Sequence, residues 1–266
     1  MAPDNGSDSV RSVARAFSLL ALFGEEHPTR SLNELVEAAE LPKTTVLRLI
    51  QTMGQLGFLY TRADGRYCLG PALIRLSRAV DLVWRLPQAA DAGMATLREQ
   101  SQETVNLYVL EGQSRVCVAQ KEGPQNIRYV VPVGVPLPLW GGASAKVLLA
   151  DSRPNLVDGA LRAGNKDAAY RAWFLEELER VRRDGLAVSH GEREPGASSV
   201  ASPLRAGGHT IAAVAISGPT SRFTSDRVAE LAALLKDAVG RMEQSFAKDM
   251  KGEPPGVPWE ARSAAR

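Results

Sequence analysis

Between residues 10 and 23 the apolar side chains Val10, Val13, Ala14, Phe17, Leu20, Ala21 and Phe23 recur three and four apart. This spacing predicts an amphipathic helix, stopped by Gly24 and Pro28. Ser31 with Glu34 three residues on is a capping-box pattern that opens a short second helix through Leu32, Leu35, Val36 and Ala39. Leu41-Pro42 breaks it, because a residue before proline is pushed out of the helical region. A third helix follows over about 42–56. Val46, Leu49, Ile50, Met53 and Leu56 form its inner stripe, and Lys43, Thr44, Thr45, Arg48, Gln51, Thr52 and Gln55 face outward. Gly57 is placed to close it in a left-handed cap. Phe58-Leu59-Tyr60 and Tyr67-Cys68-Leu69 then flank an Asp64-Gly65 turn, the pattern of a β-hairpin. Three helices and a hairpin predict a winged helix-turn-helix domain over 9–70.

Leu73, Leu76, Val80 and Val83 continue a helical stripe toward Trp84, interrupted by Pro87, which predicts a linker helix over 71–86. A helix over 88–101 leads into an alternating strand, 104–110. Glu111-Gly112 turns it into a second strand, 116–119, and 127–133 reads as a third. The run Gly134-Val135-Pro136-Leu137-Pro138-Leu139-Trp140-Gly141-Gly142 holds too many prolines and glycines for an element and reads as an apolar loop opening a helix at 143–150. Helices at 153–163 and 170–184, the latter ended by Gly185, precede strands at 186–189, 198–205 and 210–217. Thr224 caps a closing helix through Val228, Leu231, Leu234, Leu235, Val239 and Met242. This order predicts an α+β chain: the winged helix-turn-helix, the linker helix, and a domain over 87–248 with helices on an antiparallel sheet. The segment 249–266, with Pro254, Pro255 and Pro258, reads as a disordered tail.

The chain has 266 residues, 44% hydrophobic and 23% charged, enough for one large or two ordinary domains. No apolar run approaches the roughly 20 residues that span a bilayer, and residues 1–9 lack a secretory pattern, so a cytoplasmic protein without membrane association is expected. Cys68 and Cys117 are few and far apart, and His27, His190 and His209 are too scattered for a metal site. The net charge of +2 is uninformative, but its distribution is not. From Leu41 to Val80 the charged residues are Lys43, Arg48, Arg62, Arg66, Arg75 and Arg78 against the single acid Asp64, whereas the stretch before it is acidic. A basic third helix and wing suit a polyanion. Lys43, Thr44, Thr45 and Thr52 are candidates for phosphate contacts, Arg48 and Gln51 for base edges in the major groove, and Arg62 and Arg66 for the wing's contact with double-stranded operator DNA. The alternative is a winged-helix protein-interaction or scaffold module.

Three segments of this half, SVARAFSLLALF, LPKTTVLRLIQTMGQLGFL and DGRYCLGPALIRL, resemble the DNA-binding half of the IclR family of bacterial transcription regulators. Leu47 stands where that family usually has an aromatic residue. The segments VNLYVLEG, VPLPLWGGASAKVLLA, VRRDGLAVSHGEREPGASSVASPL and AAVAISGP are similar to the family's GAF-like effector-binding domain, so the resemblance runs over about 9–247. It implies a homodimer or homotetramer, with the first helix and its Phe17 and Leu20 at the dimer contact. It also implies a small organic-acid effector held by Trp140, Ala143, Ser144, Ser189, His190, Ser199, Ala215 and Ser217. Ser144, Ser199 and Ser217 with backbone amides are expected to suffice for a carboxylate, with no need of a buried arginine. His190 replaces a common acid, Ala215 a serine, and Trp140 a smaller or imidazole side chain, departures that point to a larger, aromatic ligand.

The residues do not suggest an enzyme. Ser144-Ala145-Lys146 lacks the Ser-x-x-Lys spacing, Gly-x-Ser-x-Gly and phosphate-loop patterns are missing, and Ser189 and His190 are adjacent on a strand and so face opposite ways. No cofactor or metal is expected.

Overall fold

The structure is a computed structural model that describes residues 10–24, 26–83 and 88–249. The chain divides into two compact units, residues 1–85 and 86–266. The expected tail falls, except for Asp249, outside the described residues, as does the Trp84 to Pro87 break in the expected linker.

The first unit comprises α1 (Arg11–Leu20), β1 (Thr29–Arg30), α2 (Leu32–Ala39), α3 (Lys43–Gln55), β2 (Leu59–Thr61), β3 (Tyr67–Leu69) and α4 (Ala72–Val83). Its core is Leu19, Phe23, Leu35, Val46, Ile50, Met53 and Leu59, the inner stripes of α1–α3 closed by the first wing strand. The capping box forms as the spacing predicts: Ser31 N donates to Glu34 Oε2 at 2.7 Å, and Glu34 N to Ser31 Oγ at 3.4 Å. α1 stops at Leu20, short of its apolar run, because the chain turns there and drives Phe23 into the core. The outer half of that run stays exposed, with Phe17 at 62% and Val13 at 50%. The wing is the expected hairpin, but β1 adds a third strand, pairing antiparallel with β3 through Thr29 opposite Cys68. Two residues are too few for a periodic signal, so β1 is not visible in the sequence.

The second unit comprises α5 (Gln88–Ser101), β4 (Thr104–Glu111), β5 (Ser114–Lys121), β6 (Pro136–Pro138), α6 (Ala143–Ala150), α7 (Pro154–Ala163), α8 (Ala168–Asp184), β7 (Ala187–His190), β8 (Ala197–Ala206), β9 (His209–Pro219) and α9 (Ser225–Asp249). Its sheet has the order β6-β5-β4-β9-β8-β7, every pair antiparallel. Strand alternation divides the core in two. Val105, Leu107, Val116, Val200, Val214 and Ile216 pack on α5 and α9. Tyr108, Cys117, Ala201, Ala213 and Ala215 face Ala143, Val147 and Leu148 of α6 and Val181 of α8. Beyond α6, a third layer joins Leu149, Leu161, Phe174 and Leu178.

Two expectations are corrected here. Residues 127–133 are not a strand: Ile127 is 75% exposed, and the segment is held instead by Val131, whose carbonyl accepts from Gln120 Nε2 at 3.0 Å. The edge strand is β6, within the proline-rich run that reads as a loop. Proline cannot donate to a ladder, but an edge strand has one side without a neighbour, and there Pro136 and Pro138 are tolerated opposite Val116 and Ser114.

Candidate functional site

On the first unit, 100° per residue along α3 places Thr44, Arg48, Gln51 and Gln55 on the face opposite Val46, Ile50 and Met53. All four are exposed, as is Lys43 in the first turn. Thr45 is half-buried on the α1 side, and Thr52 returns its hydroxyl proton to Arg48 O at 2.9 Å. Arg62 at the wing tip is exposed, with Asp64 3.5 Å away. Arg66 is turned inward. Its Nη2 donates to Glu34 Oε2 at 2.8 Å and to Thr29 O at 3.1 Å, and its Nε to Thr29 Oγ1 at 3.2 Å, tying the wing to the start of α2. The backbone bond from Ser31, opposed by partial burial and reinforced by Arg66, holds the Glu34 carboxyl below its usual range. A winged helix with cations and amides on the exposed face of its third helix is a DNA-binding architecture.

On the second unit, the α6 face of the sheet carries a partly open cavity of about 40 Å³. Four of the eight expected effector residues line it: Ser144 at the start of α6, Ser189 on β7, Ser199 on β8 and Ser217 on β9. The other four do not. Ala143 and Ala215 pack in the core beside it. His190 is exposed at the end of β7, its Nδ1 3.1 Å from Ser198 Oγ, since alternation sends Ser189 inward and His190 outward. Trp140 is turned away toward α7 and α8, packed against Gly164 with the Lys166 ammonium 4.1 Å over its ring. Its bulk therefore does not shape the cavity, and the inference from Trp140 to a larger ligand falls.

The cavity also holds Tyr108, Arg115, Leu137 and Tyr129. Arg115, on β5, is a buried arginine that the sequence reading did not call on: it is 3% exposed. Its Nη1 donates to Pro138 O at 2.5 Å and Gly141 O at 2.9 Å. Burial lowers its pKa to about 10, which leaves it charged at neutral pH. Gly142, at φ 99°, lets the loop close on it, because a Cβ there would lie 3.1 Å from Arg115 Nη2. Burial likewise raises the Tyr108 phenol. The residue following Ser114 was legible as inward-facing only from phase: Arg115 and Cys117 are two apart, and Cys117 is core.

A short loop after β7 closes the cavity. Tyr129 OH donates to Glu194 Oε2 at 2.9 Å, and Arg193 bonds both the Tyr129 oxygen and Glu194. Glu192 anchors the loop, accepting from Gly142 N at 2.9 Å and from Lys146 Nζ at 2.6 Å. Opposite, Asn106 links Gln120 Nε2, at 2.7 Å, to Ser217 Oγ, at 3.5 Å. Among the described residues no cluster of His, Cys, Asp and Glu is suited to a metal ion, and no helix is long and apolar enough to cross a membrane.

A DNA-binding winged helix followed by a sheet domain with a polar cavity is the arrangement of a two-domain transcription regulator. Comparison with known proteins agrees. The IclR helix-turn-helix domain matches residues 12–63, and the family described as bacterial transcriptional regulator IclR C-terminal matches residues 83–243. The chain belongs to the IclR family of DNA-binding transcriptional regulators. It is 32% identical to the HTH-type transcriptional regulator KdgR of Escherichia coli K12, over 90% of this chain and 94% of that one. Among solved structures, an IclR-family protein from Rhodococcus sp. is 41% identical, with TM-score 0.60, covering 92% of this chain and 97% of that one. An IclR homolog from Microbacterium hydrocarbonoxydans complexed with 4-hydroxybenzoate shares the fold at TM-score 0.76 and 23% identity, covering 89% of this chain and 99% of the other.

Proposed function

We propose that this protein is a ligand-responsive regulator whose affinity for a specific operator is set by a small organic acid bound in the cavity of its second unit. The observation that carries the reading is that cavity: serine side chains from α6, β7, β8 and β9 and a charged arginine from β5 gathered on the α6 side of the sheet. The homolog that binds 4-hydroxybenzoate lends support, since it shares this fold and binds an organic acid. At about 40 Å³ the space takes a few water molecules or a carboxylate head, not a whole acid. Binding therefore requires the Tyr129–Arg193–Glu194 bridge to open, so the acid has a different affinity for the closed and open loop. That difference is what shifts an equilibrium.

On DNA, Arg48 and Gln51 read base edges while Lys43, Thr44 and Arg62 meet phosphates; Arg66 supports the wing from within. The active species is a homodimer or a homotetramer, joined in part through α1. Phe17 and Val13 there leave an apolar groove of about 570 Å³ against Leu49 and Leu56 of α3. A symmetric dimer matches a two-fold symmetric operator. A gel shift on the DNA upstream of its own gene, with and without aliphatic and aromatic acids, tests the reading. A sequence-specific complex of two or more chains that one acid weakens or strengthens is expected. The absence of any specific complex at low salt would return the scaffold alternative to first place.

A further inference from the structure

Three charged side chains are buried among the described residues: Glu103, Arg115 and Lys146. Glu103 is paired with Arg222 at 2.5 Å. Lys146 is held by Glu177 and Glu192 at 2.8 and 2.6 Å. Arg115 alone has no carboxylate within ion-pair distance, and its Nε is buried without a hydrogen-bond partner. Both bonds it makes leave from Nη1, to the carbonyls of Pro138 and Gly141, so among the described residues the Nε–Nη2 edge of the guanidinium is uncommitted. Glu192, an acid that acts on it electrostatically, is already bound to Lys146 and Gly142 N. Arg193, the other cation of the cavity, is engaged by Glu194.

A buried cation without a counter-ion is costly, and arginine keeps its proton rather than neutralising. The Nε–Nη2 edge is one of the two guanidinium edges that match both oxygens of a carboxylate. Arg115 lines the cavity, and the carbonyls on Nη1 fix the plane of its fork. From this geometry we infer that Arg115 is the anion receptor of the effector site, that it takes the effector's carboxylate through Nε and Nη2, and that the effector is accordingly an acid bound as its anion. Tyr108, whose ring lies 5.8 Å from the guanidinium carbon, and the serines contact the remainder of the molecule. The inference rests on the acid-responsive reading above and gives it a charge-bearing residue.

The test uses the full chain and titration calorimetry with acetate, pyruvate, benzoate and 4-hydroxybenzoate, each beside its primary amide. At least one acid should bind and its amide should not. Arg115→Met should weaken that acid at least about thirtyfold, the usual scale for truncating a buried, hydrogen-bonded charge pair. Arg115→Lys, which keeps the charge but not the fork, should fall between them, and it serves if the methionine variant does not fold. An acid that binds wild type and both variants within about threefold, or an amide that binds as well as its acid, would overturn the role of Arg115 and leave the effector cavity standing. If none of the acids binds the wild-type chain, the acid-responsive reading itself fails, and the inference with it.

Discussion

Lys146 shows what a satisfied buried cation looks like in this fold. Its ammonium has three protons and three acceptors, Glu177 Oε2, Glu192 Oε1 and the Val188 carbonyl, all within 2.8 Å. Lys146→Met would leave Glu192 facing Glu177 without the cation between them, and breaking such a buried cluster costs about 3 kcal/mol or more. Denaturant unfolding should report that loss, together with faster amide exchange over residues 191–196, which Glu192 anchors; an unchanged midpoint would contradict it. In the wing, Glu34 is a smaller case with a pH signature. Its carboxyl is held below the usual range by the Ser31 backbone bond and then by Arg66. The unfolded chain therefore takes up that proton at higher pH than the folded one. The stabilisation is present above the ordinary carboxylate range and lost as pH falls through the lowered folded value. Protection of the β2–β3 amides, corrected for intrinsic exchange, should decline over that interval in wild type. It should do so far less in Glu34→Gln, which keeps the capping box but not the charge.

At the scale of elements, the helices were legible from their apolar spacing and, in places, from their ends: Ser31 accepts from Glu34 N at the start of α2, and Gly185 turns left-handed past α8. The failures have physical causes. Residues 127–133 alternate as a strand should, but alternation shows only that one side is buried, and here a glutamine bond from Gln120 fixes Val131 with no strand beside it. β6 went unseen because proline counts against a strand until one knows it lies at an edge. Ser144, Ser189, Ser199 and Ser217, four of the five serines that line the cavity, were named from family likeness, but Ser198 and Arg115 were not. Arg115 lies just before the strand read over 116–119, so it passes for a turn residue until β5 is known to begin at Ser114, in phase with Cys117; nor does position in a motif settle which way Trp140 and His190 turn. The division of labour in the DNA-binding unit follows from the same distinction. Arg48→Ala, on the exposed face of α3, should cost about 1–3 kcal/mol and relax sequence preference. Arg62→Ala should weaken all sequences alike and reduce the slope of log affinity against log salt by about 1. Arg66→Ala should instead loosen the wing, seen as lost protection at β3, before any change in that slope. Equal salt slopes for wild type and Arg62→Ala would remove Arg62 from the phosphate contacts.

For the whole molecule, one unit carries the exposed cations and amides of α3 and the other carries the cavity, so the regulation we propose is free-energy coupling between two separate sites. Such coupling is reciprocal: if an acid changes operator affinity by some factor, operator must change the acid's affinity by the same factor. The most direct test is therefore a pair of titrations on the wild-type chain, operator binding with and without saturating acid, and acid binding with and without saturating operator. Two equal factors clearly different from one are predicted. An acid that binds the free and the operator-bound protein equally well would contradict the account, however tightly it binds.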